Sequence, residues 1–182
     1  PLEAKLIKPQ FVYDATLHSA SEMIKNGIST TNDMYFCMNS IADACSQAGL
    51  RVLIGEVMID DEPSKNSPEN TIGKKIEVLK EEYKNNPLID FTLAPHSIYA
   101  CSSQTLKTCA EIAKNKNILI HTHLSETREE VENCLKMHNK RPVEYLQELG
   151  LLEVRSIFAH GIWIDEREME LLAEKKLSSI AV

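Results

Sequence analysis

Hydrophobic positions along the chain switch repeatedly between the spacing of an amphipathic helix and the short runs of a buried strand. Residues 10–26 carry apolar side chains at helical spacing and stop at Gly27, the residue type favoured just after a helix, and a β-rich segment follows. The same succession continues to the end of the sequence. It predicts strands at 28–34, 51–57, 88–94, 117–124, 156–160 and 178–182, and helices at 10–26, 40–48, 71–84, 103–115, 127–137, 142–149 and 165–176.

This alternation predicts the α/β class, because consecutive strands separated by helices pair in parallel. A closed barrel of eight strand-helix units needs roughly 250 residues. The six predicted units therefore indicate part of a TIM-type (β/α)8 barrel that would extend past both ends of the sequence. We predict that residues 1–182 belong to one barrel domain with no internal boundary.

Composition excludes several classes of protein. The chain is 43% hydrophobic and 26% charged, as in ordinary globular proteins, and contains no continuous apolar stretch long enough for a membrane helix. Its net charge of -7 and scattered lysines disfavour nucleic acid as a partner. Five cysteines without a Cys-x-x-Cys pair predict reduced, mostly buried thiols. We expect a cytoplasmic protein that binds neither nucleic acid nor membrane.

Polar residues gather where predicted strands end. Asp33, His96, His123 and His160 lie at or just after four strand ends, and Glu126 follows in the loop after His123. Parallel barrels build their active sites from the loops at the carboxyl ends of the strands. These side chains are therefore the candidates for chemistry.

The segment around His123 has two readings. His121 and His123 share one face of their strand, and a neutral imidazole at a strand end suits Zn²⁺, although hydrogen-bonded core histidines give the same pattern. Glu126 could exchange protons with metal-activated water, or it could be an acid at the start of the next helix. Favourable interaction with the helix dipole accounts well for Glu129 and Glu130.

His96 and His160 are equally ambiguous when each is taken alone. His160 stands between small residues, Ala159 and Gly161, that let another group approach the strand end. His96 ends its strand at a turn. A structural histidine is the alternative for both.

Three runs taken together resemble a known family. LAPHSIY at 93–99, IHTHLSET at 120–127 and FAHG at 158–161 are similar, in order and spacing, to motifs of the amidohydrolase superfamily. The branch they resemble contains the methylthioadenosine/S-adenosylhomocysteine deaminases and the triazine chlorohydrolases. The starting PLE and the run MIKNGISTTNDMY at 23–35 look like that family's approach to its second strand, so the resemblance covers the whole chain. It implies that the six predicted strands are strands two to seven of the barrel, with the first and last strands lacking.

The resemblance implies a site with one divalent metal, for which zinc is the first candidate and Fe²⁺ the alternative. His123 corresponds to the metal ligand of the fifth barrel strand, and Glu126 to the proton shuttle beside it, which also contacts substrate. His160 corresponds to the sixth-strand histidine that contacts the metal or its water. His121 matches no ligand of this branch.

The resemblance also implies a small-molecule substrate. His96 and Glu3 correspond to contacts with the nucleoside portion, which favours deamination of S-adenosylhomocysteine or methylthioadenosine. Dechlorination of triazines, deamination of guanine and hydrolysis of cyclic amides are alternatives within the family. A non-catalytic binding protein on a degenerate barrel is the alternative from another class.

Two metal-binding elements of the family have no counterpart in these residues, namely the His-x-His of the first strand and the aspartate of the last. We therefore expect the chain alone to be inactive. We also expect it to self-associate through open strand edges, or to belong to a homo-oligomer.

Overall fold

The computed structural model describes residues 5–60 and 72–181. Its strands are β1 Thr30–Asp33, β2 Arg51–Met58, β3 Ile89–Pro95, β4 Ile120–Leu124, β5 Ser156–His160 and β6 Ser178–Ala181. Its helices are α1 Pro9–Lys25, α2 Met38–Ala48, α3 Lys74–Glu82, α4 Ser103–Lys116, α5 Arg128–His138, α6 Pro142–Glu148 and α7 Glu166–Lys175.

Each of the six predicted strands and seven predicted helices has a counterpart in the structure, with small differences at the ends. β4 begins at Ile120 rather than at 117, because Asn117 adopts a left-handed conformation (φ 51°) that ends α4. The turn of 3-10 helix at Leu151–Glu153 was not predicted. The order of elements is therefore the predicted one.

The chain packs as two compact units, and the first contains Pro1–Val57 and Gly73–Thr92. In this unit β1 pairs in parallel with β2, and the amide of Val52 in β2 donates to the carbonyl oxygen of Leu88 just before β3. α1 packs against α2. The apolar face of α2 is buried at helical spacing, through Met38, Ile41, Ala42 and Cys45.

The second unit contains Met58–Ile72 and Leu93–Val182. Here the end of β3 pairs with β4, β4 with β5, and β5 with β6, all in parallel. β4 is buried almost continuously, as expected for a parallel strand covered on both faces. The α/β class is thereby confirmed, while a single domain over residues 1–182 stays a prediction.

The state and burial of the cysteines agree with the prediction of reduced, mostly buried thiols. All five cysteines lie in the described part of the chain, none of them forms a disulfide, and all except Cys37 are buried. No helix in residues 5–60 and 72–181 is long and apolar enough to cross a membrane.

The start of α4 offers a test of helix capping. The hydroxyl oxygen of Ser102 accepts a hydrogen bond from the backbone amide of Thr105 at 3.1 Å. We expect Ser102→Ala to lower the free energy of unfolding by about 1 kcal/mol, because this amide loses its partner. Urea unfolding should show the loss, and Ser102→Thr, which keeps the oxygen, should largely avoid it. Equal stability of the alanine variant and the wild type would contradict the role of this cap.

Candidate functional site

Three histidines lie side by side in the second unit, where β3, β4 and β5 end. His123 is opposite Ala159 in the parallel register, and Leu124 is opposite His160. The ring centres of His96 and His123 are 4.5 Å apart, and those of His123 and His160 are 5.4 Å apart and nearly parallel. The structure thus brings together three histidines that are 27 and 37 residues apart in sequence.

The tautomer of His123 follows from its hydrogen bond. Its Nδ1 lies 2.8 Å from the carbonyl oxygen of His96, which can only accept, so Nδ1 carries the proton. The backbone amide of His123 donates to the same oxygen at 3.0 Å. The lone pair of the neutral ring is therefore on Nε2, as a metal-binding imidazole requires.

The backbone at His160 is in an unusual conformation. His160 has φ 77°, in the left-handed region that L residues rarely adopt, and Gly161 follows with φ 64°. The amide of Gly161 donates to the carbonyl oxygen of Leu124 at 2.9 Å. A Cβ atom at Gly161 would lie 3.0 Å from Cγ2 of Ile180, so glycine leaves room for the neighbouring strand.

Glu126 lies next to His160. Its Oε1 is 3.7 Å from Nε2 of His160, which is within electrostatic reach but longer than a hydrogen bond. The side chains of Glu126 and His160 are 39% and 34% exposed, respectively. A carboxylate placed in this way is accessible both to the imidazole and to a molecule entering from solvent.

The loop that carries Glu126 is fixed by Glu130, which sequence reasoning assigned only to the helix dipole. Glu130 is 4% exposed, and its two carboxylate oxygens accept from the backbone amides of Ser125 at 3.0 Å and Glu126 at 2.9 Å. Burial raises the pKa of Glu130, against the lowering effect of these amides. The helix-dipole interpretation is therefore incomplete for Glu130, while Glu129 is exposed as expected.

His96 and His121 flank His123 as neutral rings. Burial lowers the pKa of His96, and nearby His123 lowers it further against the opposing charge of Glu126. The Nδ1 of His96 lies 3.1 Å from the hydroxyl oxygen of Ser97. Burial lowers the pKa of His121 to about 4, with a further contribution from His123. Neither ring is charged at neutral pH.

Two other candidates do not belong to the described residues of the second unit. Asp33 ends β1 in the first unit, where burial raises its pKa. Glu3 lies outside the described residues. The structure therefore gathers His96, His123, Glu126 and His160 but provides no position for Glu3.

The donor set fits part of a metal site. His123 and His160 present imidazoles at adjacent strand ends, and Nε2 of His123 has its lone pair free. Among residues 5–60 and 72–181, no group of three or more His, Cys, Asp or Glu side chains is arranged to hold a metal ion. Catalytic zinc usually has three protein ligands, so these residues supply fewer than a complete set.

Comparison with known proteins places the chain in a family context. The sequence model of the amidohydrolase family matches residues 1–181. A 5-methylthioadenosine/S-adenosylhomocysteine deaminase of Thermodesulfovibrio yellowstonii is 42% identical over 97% of this chain and 40% of its own length. A 5'-deoxyadenosine deaminase of Methanococcus aeolicus is 38% identical over 97% of the chain and 41% of its length.

Solved structures agree with the sequence comparisons. An adenosine deaminase of Xanthomonas campestris with bound zinc has a TM-score of 0.88 and 30% identity, over 99% of this chain and 41% of its own. An atrazine chlorohydrolase of Arthrobacter aurescens has a TM-score of 0.84 at 15% identity, over 98% of this chain and 44% of its own, and so shares the fold. With the alternating parallel strands, these similarities confirm the predicted partial (β/α)8 barrel. The chain spans about 40% of the length of the curated relatives it matches.

Proposed function

Because this chain belongs to the amidohydrolase family, we propose that the complete protein is a metal-dependent hydrolase that deaminates an adenosine-type nucleoside. S-adenosylhomocysteine and methylthioadenosine are the first candidate substrates. The similarity to a deaminase named for these two compounds carries the proposal. The carboxylate of Glu126 beside His160 supports it, because hydrolytic deamination needs a proton carrier at the reacting atoms.

We assign the metal to His123 and His160, with the other ligands outside this chain. His123 binds through Nε2, since its Nδ1 is held by the carbonyl oxygen of His96. Zinc is the proposed ion, and when bound it makes hydroxide available near neutral pH by lowering the pKa of water. The hydrogen bond to His96 fixes the His123 ring before any ion arrives.

Glu126 carries the protons in this proposal. Its carboxylate accepts a proton from the attacking water and delivers it to a purine ring nitrogen next to the reacting carbon. The carboxylate then takes the remaining proton of the hydroxyl group that has added to this carbon and delivers it to the amino group, so that the C–N bond breaks, ammonia leaves and the carbon keeps a C=O bond. The exposed position of Glu126 beside His160 suits both transfers, because one carboxylate can then reach water and substrate.

His96 is the proposed substrate contact within the described residues. Its ring centre is 4.5 Å from that of His123 and 5.8 Å from that of Tyr99, and burial lowers its pKa, which favours the neutral form. A neutral imidazole can donate or accept one hydrogen bond without adding charge. Contact through Glu3 stays a prediction.

Ammonia release by the zinc-loaded full-length protein tests the proposal. The substrates to compare are S-adenosylhomocysteine, methylthioadenosine, 5'-deoxyadenosine, adenosine, guanine and a chlorotriazine, with the metal-free protein as control. We expect release from adenosine-type nucleosides only, lost without metal and restored by zinc. Chloride release from the triazine, or release from guanine alone, would replace the proposed substrate class. If the metal-loaded protein released no ammonia from any of these compounds, deamination of the proposed substrates would be excluded.

A further inference from the structure

We propose that Glu130 is a positioning residue that holds the loop carrying Glu126 in its working conformation. This inference rests on the proposed function, because it gives Glu126 the role of proton carrier. The proposal adds to the candidate site a residue of the first turn of the following helix, α5.

The contacts of Glu130 are unusual for a surface helix. Both carboxylate oxygens are used, one for the amide of Ser125 at 3.0 Å and one for the amide of Glu126 at 2.9 Å. The side chain is buried, so its oxygens face these amides instead of solvent. These two hydrogen bonds therefore hold the backbone of Glu126, the proposed proton carrier, directly.

Helix capping alone does not account for this arrangement. Thr127 caps α5, and its hydroxyl oxygen accepts from the amide of Glu130 at 3.1 Å. In the usual capping box, a glutamate at this position returns to the amide of the capping residue. Here the carboxylate accepts from the amides of the two residues before the cap, Ser125 and Glu126, which belong to the loop after β4.

The loop needs such support because of its conformation. Ser125 is completely buried and has φ 48°, a left-handed conformation that L residues rarely adopt. Its carbonyl oxygen accepts from the amide of Trp163 at 2.9 Å, in the segment that follows His160. The loop is thus held by Glu130 from one side and by the His160 segment from the other, which fixes the backbone from which Glu126 reaches His160.

Removal of the Glu130 carboxylate should therefore misplace Glu126 without removing it. Displacement by about 1 Å can cost about 100-fold in rate, and loss of residues that orient metal ligands or catalytic groups typically costs about 10- to 100-fold. We expect Glu130→Ala to lower kcat by about 10- to 100-fold while KM changes by less than about threefold. Glu130→Gln keeps one acceptor oxygen and should recover part of the lost kcat.

The experiment uses the zinc-loaded full-length protein and two independent readouts. Steady-state ammonia release gives kcat and KM, and hydrogen exchange followed by mass spectrometry gives the opening of residues 120–130. Glu129→Gln, an exposed neighbour, controls for charge, and Val131→Ala, buried in the same helix, controls for loss of stability. Zinc content is measured for every variant.

The expected result is faster exchange at Ser125 and Glu126 and reduced kcat in Glu130→Ala, with zinc content unchanged and both controls close to wild type in kcat. Wild-type kcat in Glu130→Ala, or an equal fall in Val131→Ala, would overturn the role of Glu130 and leave the proposed function standing. An inactive wild-type protein would remove the proposed function, and this role of Glu130 with it.

Discussion

Glu126→Gln is expected to release ammonia about 100- to 10,000-fold more slowly than wild type, the range typical for loss of a general acid-base residue. The amide has nearly the shape of the carboxylate but cannot take up a proton from water. Its hydrogen bonds to substrate are partly preserved, so KM should change much less than kcat. The measurement is steady-state ammonia release by the zinc-loaded full-length protein on its best nucleoside.

Glu129→Gln provides the matched control, because it removes the same charge three residues away at an exposed position. It should retain wild-type kcat. Zinc content should be the same in both variants, since Glu126 is assigned to proton transfer and not to metal binding. A kcat for Glu126→Gln within about tenfold of wild type would show that another group carries the proton.

The gathering of His96, His123 and His160 could be predicted because it depends on strand ends alone. In a parallel sheet the carboxyl ends of consecutive strands lie at one edge, so side chains at those ends become neighbours even when many residues separate them. The run at 156–160 was apolar enough to predict β5 with the bounds found in the structure. The neighbouring positions of these histidines could therefore be predicted without any knowledge of side-chain contacts.

The role of Glu130 could not be predicted with the same reasoning. An acidic residue in the first turn of a helix is favourable wherever it points, so charge patterning does not reveal a carboxylate that turns back into the loop. The pattern Thr127-x-x-Glu130 was the available signal, since it is the sequence signature of a capping box. Its position directly after a candidate catalytic glutamate would have suggested the contact.

The left-handed backbone at His160 was also beyond sequence reasoning. Glycine at 161 indicated a close approach, and a Cβ there would indeed lie 3.0 Å from Ile180. Nothing in the sequence indicated that the preceding histidine would adopt φ 77° as well. Such conformations persist only where surrounding contacts impose them, and those contacts come from other strands.

Glu168→Ala is expected to lower the free energy of unfolding by about 2–6 kcal/mol, a larger loss than for Ser102→Ala, because each amide left without an acceptor costs about 1–3 kcal/mol. Glu168 is fully buried at the start of α7 and accepts from the amide of Val143 at 2.9 Å and from Nε of Arg141 at 2.8 Å. It also accepts from the amide of Asp165 at 3.1 Å. Removing it leaves these two amides without their acceptor, which is why the cost exceeds that of an exposed ion pair. Arg141 keeps one carboxylate partner, because its Nε also lies 2.8 Å from Oδ2 of Asp165.

Urea unfolding of the 182-residue chain, followed through its single tryptophan, measures this loss. Trp163 is a suitable probe because its carbonyl oxygen accepts from Nη2 of Arg141 at 2.7 Å. Glu170→Ala, exposed on the same helix, should leave stability unchanged. A loss below about 1 kcal/mol in Glu168→Ala would mean that water replaces the carboxylate, and that this ion pair contributes no more than one at the surface.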